Sequence, residues 1–550
     1  MKSPRMIGVW FFKVKEPAMV KLLPAARDVR TSQQRGKLDE RALKNYDAVI
    51  IAVESEAAVA GLQELPHAQL WQRWFEEARS RGPVGIMSAR IAPTGTLMVV
   101  ALISKKAAAF ERLSIGGRVW KELSGSGAAR MALATHGMDE AASSATLEAL
   151  LAAVLAGSAS LPTLKSTTVP ANALREITLL HTGAAVDLER CLAVSQGNHL
   201  ARWLTTLPPN VLDSRSYRRA IAELAKRQHW NMTFFSETAL KRLGAGAFLA
   251  VARANEHRDA GIVHLRYRAR PGRTARRRVA LVGKGICFDT GGINLKTHKG
   301  MFSMHEDMQG SAVALGVLLA LTELQAPFDV DCWLALSENQ IGPHAYRPQE
   351  VVRAMNGVSI QVAHSDAEGR MVLADTLALA AREQPDLIID FATLTGACVT
   401  ALTERYSGAF TNRPQWHAAI ELAGRSSGER VWPFPMDEDF DADLESPVAD
   451  ILQCTPDSKG DHILAARFLN RFVPPAIGWI HLDLAASNRS GGLGHIASDF
   501  TGFGVRYATH LLLDQELPGF SSQLQPLIAG VSMPASRSLK PARRQRARGA

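Results

Sequence analysis

Carboxylates, lysines and an arginine recur in the second half of this 550-residue sequence at spacings that could serve chemistry. The segment HSDAEGRM places Asp366, Glu368 and Arg370 on alternate positions, directly before an apolar helical pattern. Acidic residues are common in the first turn of a helix, where backbone N–H groups are unpaired, so a charged helix start is one interpretation. The other is a site that binds cations and an anion together.

A glycine-rich segment at residues 283–312 adds Lys284, Asp289, Lys296 and Asp307. Glycine lets a backbone turn tightly and approach a ligand closely, although surface charges in a mobile linker would also explain the segment. Four carboxylates at one place would repel one another unless cations were bound, and two divalent ions would balance their charge. Two metals bridged by carboxylates suit hydrolysis at a carbonyl or phosphoryl group. The sequence contains neither an HExxH motif nor a P-loop.

Strand-like and helix-like patterns alternate along the same half of the chain. Apolar runs typical of strands occupy residues 277–285, 330–339 and 386–396, and helical patterns occupy 310–325 and 369–383. This alternation predicts an α/β fold with a mostly parallel central sheet covered by helices. In such sheets the functional loops follow the carboxyl ends of the strands. The candidate polar residues at these ends are Lys284, Asp289, Glu338, Asn339 and the run from Thr393 to Gly396.

The chain is too long for one ordinary core, so we expect two domains. Residues 1–170 combine strand and helix patterns without an evident chemical constellation, and we interpret them as an α/β accessory domain. Residues 171–210 are predicted to form a linker with a connecting helix at 187–207. Residues 211–534 would be the catalytic domain, and residues 535–550 a basic, disordered tail.

The composition is typical of a soluble globular protein, with 47% hydrophobic and 21% charged residues. No apolar run is long enough to span a membrane, so we expect no membrane contact. The five cysteines are scattered and form no CxxC pair, which favours reduced thiols and a cytoplasmic location. The net charge is +10, and six of the basic residues lie in the tail. Such a tail is usually solvated, but weak nucleic-acid binding would also fit it.

Several ordered motifs resemble the leucyl aminopeptidase (cytosol aminopeptidase) family of two-metal exopeptidases. They include LVGKGICFDTGGINLK, EDMQGSAVALG, HSDAEGRMVLADTLALA and DFATLTGACVTAL. The lysine, aspartate, lysine and aspartate of the glycine-rich segment follow one another at intervals of 5, 7 and 11 residues. The likeness covers residues 185–515, whereas the first 170 residues resemble the family only loosely.

The resemblance implies roles for individual residues. The two metal ions would be bound by Lys284, Asp289, Asp307, Asp366 and Glu368. Asp289 and Glu368 would bridge the ions, Lys284 would bind as a neutral amine, and the metal-bound water or hydroxide would be the nucleophile. Lys296 would stabilise the oxyanion, and Arg370 would hold a bicarbonate ion that relays the proton. The residues implied for substrate binding are Met304, Asn339, Thr393, Leu394 and Gly396.

The resemblance also implies a macro-like N-terminal domain, a catalytic C-terminal domain and a homohexamer. The reaction would release N-terminal amino acids, Leu or Met preferred, from peptides with a free amino group, using Mn²⁺ or Zn²⁺. Three departures from the family pattern put the substrate preference in doubt: His364, Gln309 and the pair Gln349-Glu350. For His364 we favour a hydrogen bond to the site over metal binding.

Two other hypotheses remain open at this stage. One is a two-metal hydrolase selective for dipeptides such as Cys-Gly, which a panel of dipeptides against longer peptides would distinguish. The other is a nucleic-acid-binding protein that keeps the fold and binds through its basic tail and a second basic cluster at residues 266–278. Steep salt dependence of binding would indicate it. The complete set of ligand residues argues against a loss of catalysis.

Overall fold

The computed structural model describes residues 21–519, except 26–28, 37, 81, 83, 167–171, 182, 184, 271–276 and 458. The basic tail that the sequence predicts at 535–550 lies outside the described residues, as does the middle of the basic cluster at 266–278.

The first sheet is built from the amino-terminal part of the chain. Its strands are β1 (Arg30–Arg35), β2 (Ala48–Glu54), β3 (Ile86–Ile91), β4 (Thr96–Ile103), β5 (Arg130–His136) and β6 (Glu176–His181). They lie in the order β1-β6-β5-β2-β4-β3, and only β3 runs antiparallel to its neighbour. The sheet includes β6, so it extends past residue 170, where the sequence predicts the domain to end. The domain limits themselves stay a prediction.

The remaining strands form an eight-stranded sheet and a small three-stranded one. They are β7 (Asn231–Ser236), β8 (Gly261–Tyr267), β9 (Arg278–Asp289), β10 (Asp329–Asn339), β11 (Val351–Arg353), β12 (Ser359–Gln361), β13 (Leu387–Ala392), β14 (Ser407–Thr411), β15 (Val431–Pro433), β16 (Ile451–Leu452) and β17 (Gly478–Asp483). The large sheet has the order β15-β14-β17-β13-β9-β10-β8-β7. Its centre, from β17 to β10, is parallel, and antiparallel pairs flank it.

Sixteen α-helices occur among the described residues. They are α1 (Glu40–Leu43), α2 (Ala58–Gln63), α3 (Ala68–Arg79), α4 (Ala109–Leu123), α5 (Glu140–Ser158), α6 (Leu188–Thr206), α7 (Ser214–Arg227), α8 (Glu237–Leu243), α9 (Gly246–Ala252), α10 (His298–Met301), α11 (Gln309–Glu323), α12 (Glu368–Ala381), α13 (Gly396–Leu402), α14 (His417–Ser427), α15 (Asp461–Asn470) and α16 (Val505–Asp514). α11 and α12 pack into the two apolar cores that contact the large sheet. The α/β fold class predicted from the sequence is therefore confirmed.

The central strands are buried on both sides, as their unbroken apolar sequence predicts. All of β10 after Asp329 is buried, and so is all of β13. Because β9, β10 and β13 run parallel, their carboxyl ends meet at one edge of the sheet. The loops after these strands and the start of α12 share that edge.

The connecting helix α6 packs directly against α11 through two glycines. A Cβ atom added to Gly197 would lie 2.3 Å from the carbonyl oxygen of Gly316, and one added to Gly316 would lie 2.5 Å from that of Gly197. Real Cβ atoms do not approach a backbone this closely, so both positions require glycine. The helix predicted at residues 187–207 thus lies against the core of the large sheet.

One described helix, α5, is long and apolar enough to cross a membrane by length and composition. In the most apolar stretch of α5, 67% of the residues are buried inside the protein. Its leucines pack with strands of the first sheet, as in the core helix of a water-soluble domain.

Candidate metal centre

A cavity of about 570 Å³ opens where the carboxyl ends of the central strands meet. Eleven of the twelve site residues predicted from the sequence line it. They are Lys284, Asp289, Lys296, Met304, Asp307, Asp366, Glu368, Arg370, Thr393, Leu394 and Gly396. The twelfth, Asn339, is buried at the end of β10 and contacts the cavity indirectly through Asp289. Residues from four separate segments therefore converge at one place.

Lys284 lies on β9 and is enclosed by two carboxylates. Its Nζ atom is 2.7 Å from Oδ1 of Asp307 and 2.8 Å from Oε1 of Glu368, and it donates a hydrogen bond of 3.0 Å to the carbonyl oxygen of Thr393. Burial by itself would lower the pKa of Lys284, but Asp307 and Glu368 outweigh burial and raise it. In this arrangement the amine is protonated.

Lys296 lies in the loop that follows β9 and pairs with the other two carboxylates, those of Asp289 and Asp366. Its Nζ atom is 2.9 Å from Oδ2 of Asp289 and 2.6 Å from Oδ1 of Asp366. The side chain is 16% exposed, and it faces the cavity. Burial lowers its pKa, but the pull of Asp289 and Glu368 is larger, so the pKa is raised and the ammonium ion persists at neutral pH.

The carboxylates lie close enough together to share cations. Asp289, Asp366 and Glu368 each offer an oxygen within 4.8 Å of the others. Burial and the charge of Glu368 raise the pKa of Asp289 to about 7, and burial raises that of Asp307 well above its ordinary value. Oδ2 of Asp307 and Oε2 of Glu368 are buried without a hydrogen-bond partner among the described residues. Buried carboxylate oxygens that lack partners are costly, and hard divalent cations would satisfy them.

The loops hold these carboxylates through hydrogen bonds from the backbone and neighbouring amides. Oδ1 of Asp289 accepts bonds of 2.8 Å from the backbone N–H of Gly291 and from the side-chain amide of Asn339. The same Asn339 amide donates to the carbonyl oxygen of Ser365, to which the Tyr346 hydroxyl also donates. Asn339 therefore fixes a predicted ligand and the segment before Asp366, and the substrate binding that the resemblance implies for it stays a prediction.

Arg370 is fully buried in the first turn of α12 and pairs with a residue that the sequence did not single out. Its Nη2 atom donates hydrogen bonds of 2.8 Å to both carboxylate oxygens of Asp461, at the start of α15. Its Nη1 atom donates to the carbonyl oxygen of Gln453 at 3.2 Å. Burial would lower the pKa of Arg370, but Asp461 more than offsets it and the pKa is raised.

The loop after β13 lines another part of the cavity with residues 393–396. The Thr393 hydroxyl donates a hydrogen bond of 2.8 Å to Oδ1 of Asp307. Asp483, at the end of β17, accepts hydrogen bonds from the backbone N–H groups of Leu394 and Thr395 and from the Thr395 hydroxyl. This loop therefore places Leu394 beside the metal-binding candidates through a buried carboxylate on the neighbouring strand.

Two of the residues that differ from the family pattern, His364 and Gln309, lie next to the site. Nδ1 of His364 accepts a 3.2 Å hydrogen bond from the backbone N–H of Asp366. Gln309 is buried at the start of α11, where its amide lies 3.5 Å from Glu306. Neither side chain approaches a carboxylate oxygen of the predicted ligands in the hydrogen bonds that the structure describes.

Sequence reasoning missed Asp461, Asp483 and the bond from Thr393 to Asp307. Asp461 lies 91 residues beyond Arg370, and no local pattern around it indicates chemistry. Asp483 ends an apolar strand, so its place at the carboxyl end of β17 could have marked it by the rule that applied to β9 and β13.

Comparisons with known proteins agree with this geometry. Residues 199–509, more than half of the chain, match the model of the cytosol aminopeptidase family, catalytic domain. A probable cytosol aminopeptidase of Sulfurihydrogenibium sp. (strain YO3AOP1) is 35% identical over 321 residues, which make up 58% of this chain and 63% of that protein. The match thus covers slightly less than two thirds of that relative's length.

Two solved structures share the fold over most of the chain. A mutant of tomato leucine aminopeptidase has a TM-score of 0.77 and 26% identity, and the match covers 89% of this chain and 98% of that one. The bottromycin maturation enzyme BotP in complex with Mn has a TM-score of 0.72 and 28% identity, with 85% and 98% covered.

Proposed function

The chain belongs to the cytosol aminopeptidase family, and from this premise we propose that it is a metal-dependent aminopeptidase that releases N-terminal amino acids from peptides. One observation carries the proposal. Four carboxylates and two lysines from separate segments meet in one cavity, and two of the buried carboxylate oxygens lack a partner among the described residues. The two lysines balance half of the negative charge of the four carboxylates, and bound divalent cations would balance the rest.

The residues present fit two divalent ions. Asp289, Asp307, Asp366 and Glu368 would hold them through oxygen atoms, and Lys284 through its amine after losing a proton. Divalent cations next to the amine favour that loss, since they repel the ammonium form. When bound, such metals polarise the scissile carbonyl and lower the pKa of water. We propose Mn²⁺ or Zn²⁺; among the matching structures, that of BotP contains Mn.

Lys296 is the residue that we propose to stabilise the oxyanion. It reaches the cavity from the loop after β9, and its ammonium group is held by Asp289 and Asp366. A fixed positive charge in a partly buried site stabilises developing negative charge more strongly than the same charge in water. Because its raised pKa keeps it protonated at neutral pH, Lys296 needs no proton transfer before the reaction.

The first side chain of the substrate would lie against Met304, Thr393 and Gly396, which line the cavity, and the backbone carbonyl of Leu394 would accept a hydrogen bond from the peptide chain of the substrate. Met304 would supply apolar contact, so we propose a preference for Leu or Met. Discrimination by apolar size is modest, about 1–3 kcal/mol per methylene, and other residues would be accepted more slowly. We further propose a cytoplasmic homohexamer, as the resemblance implies.

The test uses leucine p-nitroanilide and its N-acetylated counterpart, each after chelation and after adding back Mn²⁺ or Zn²⁺. We expect metal-restored cleavage of the free-amine substrate alone, and none by Glu368→Gln. Absence of cleavage with every metal by the folded protein would refute the proposal. A panel of dipeptides and longer peptides then separates a general aminopeptidase from a dipeptidase.

A further inference from the structure

Resting on this proposed function, we infer that Asp461 takes the place of a bound bicarbonate as the counter-anion of Arg370, so that the enzyme works without bicarbonate. The two carboxylate oxygens of Asp461 accept hydrogen bonds from one guanidinium nitrogen of Arg370, at 2.8 Å each. Asp461 acts through Arg370 and is a positioning residue, because it is not among the residues that line the cavity.

The contacts of Arg370 leave little room for a second anion. Nη2 is bound to Asp461 and Nη1 to the carbonyl oxygen of Gln453. Nε is buried and has no hydrogen-bond partner among the described residues. Two N–H bonds therefore remain, that of Nε and one on Nη1, and they lie on different edges of the guanidinium group. A bicarbonate ion is recognised best by two parallel donors of one edge.

The charges around Arg370 also disfavour a bound bicarbonate ion. The side chain is 2% exposed, and its single positive charge is already balanced by Asp461. A bicarbonate ion at the same guanidinium would lie close to the Asp461 carboxylate, and like charges repel strongly in a poorly solvated site. Glu368, two residues before Arg370 on α12, adds a further negative charge to the same region. An ion from solution would thus be less favourable here than at an unpaired arginine.

The position of Asp461 is also fixed by the chain. It is the first residue of α15, where an acidic side chain is stabilised by the unpaired N–H groups of the helix. The carboxylate is consequently held in place before substrate arrives, without the loss of freedom that capture of a dissolved ion requires.

The experiment compares the metal-loaded wild type with Asp461→Ala and Asp461→Asn in carbon-dioxide-free buffer and in millimolar bicarbonate. Rates are measured on leucine p-nitroanilide, and binding of ¹³C-labelled bicarbonate is measured by NMR. We expect the wild type to be insensitive to bicarbonate and to show no saturable binding. Asp461→Ala should lose about tenfold in rate without bicarbonate, regain it with bicarbonate, and bind the ion.

A matched control is Asp441→Ala. Asp441 pairs with Arg467 of the same helix α15 through two hydrogen bonds of 2.6 Å, and neither residue lines the cavity. This variant should show neither bicarbonate rescue nor bicarbonate binding. Asp461→Asn keeps the side-chain shape, so it serves where the alanine variant fails to fold.

Saturable bicarbonate binding by the wild type, or its activation by bicarbonate, would overturn the inference. Unchanged activity of both Asp461 variants without bicarbonate would do the same. The NMR measurement needs no turnover, so it decides the inference even where the protein cleaves no peptide. Failure of the proposed function appears separately, as absence of cleavage under every combination of metal and bicarbonate.

Discussion

Gly369 leaves open the space that the amine of Lys284 occupies: a Cβ atom at residue 369 would lie 2.7 Å from Nζ and 2.7 Å from Cε of Lys284. The glycine lies in the first turn of α12, between Glu368 and Arg370, so the helix backbone itself forms one wall of the Lys284 site. In HSDAEGRM the glycine between Glu368 and Arg370 is therefore needed as well, because any side chain at residue 369 would collide with Lys284.

Gly369→Ala should displace Lys284 and lower kcat/KM by about a hundredfold, the effect of misplacing a reacting group by about 1 Å. The melting temperature should change little, because alanine favours a helix over glycine by about 1 kcal/mol and offsets the cost of moving a flexible lysine end. Kinetics and thermal unfolding of the same preparation check this. Gly36→Ala, which meets no atom within 4 Å, is the control and should behave as wild type.

Lys296→Met should lower kcat by about 10²–10³-fold with a smaller effect on KM, as for the removal of an oxyanion-stabilising group. The control is Lys299→Met in the adjacent helix α10, whose exposed side chain lies outside the cavity lining. Metal content by elemental analysis should stay unchanged in both variants. A loss of metal from Lys296→Met would instead assign this lysine to the integrity of the carboxylate cluster.

Thr393→Val removes the hydroxyl that donates to Oδ1 of Asp307 while keeping the shape of the side chain. Partners of this kind orient metal ligands, and their loss typically weakens metal binding by about 10–100-fold. Titration of the metal-free protein with Mn²⁺ measures the effect. Thr400→Val is the matched variant, because the Thr400 hydroxyl donates to the carbonyl oxygen of Gly396 in its own helix, at 3.0 Å. Equal affinities in the two variants would contradict the prediction.

Glu429, which does not line the cavity of the predicted metal ligands, should make the stability of the protein depend on pH. Burial raises its pKa to about 7, although its carboxylate accepts N–H bonds from Gly504 and Tyr507 at the start of α16. A carboxyl group whose pKa is higher in the folded state binds more protons when folded, so its contribution to stability falls as the pH rises from about 4.5 to about 7.

Glu429→Gln cannot ionise, so the difference in melting temperature, variant minus wild type, should increase between pH 5 and pH 8 by a few degrees. Thermal unfolding across this range, with metal held constant, provides the measurement. Parallel pH profiles for the two proteins would show that Glu429 has no raised pKa.

The site was largely predictable because its residues follow strands that the apolar pattern already located. Lys284 and Asp289 lie within and at the end of β9, which the sequence placed at residues 277–285. The family resemblance then supplied roles that no spacing contains, such as that of Lys296. These roles stay predictions until variants are measured.

The parts of the site and fold that the sequence did not predict depend on tertiary contacts between distant segments, which a pattern along the chain does not contain. Asp461 meets Arg370 only because α15 packs near the start of α12, and a single aspartate at a helix start is indistinguishable from an ordinary acidic first turn. Likewise the sequence predicts a linker at residues 171–210, and the pairing of β6 with β1 and β5 assigns part of that range to the first sheet.

The glycine contact between α6 and α11 determines where a fragment containing the catalytic half of the chain can begin. α11 begins two residues after Asp307, and its face toward α6 is bare backbone at Gly316. A fragment that starts at residue 211 would lose Leu200 and Leu204, which belong to the same core, and would expose this face of α11. The family match itself begins at residue 199, inside α6. From the packing of α6 against α11 we predict that a fragment carrying the catalytic half must start before Leu188, so that it keeps the connecting helix.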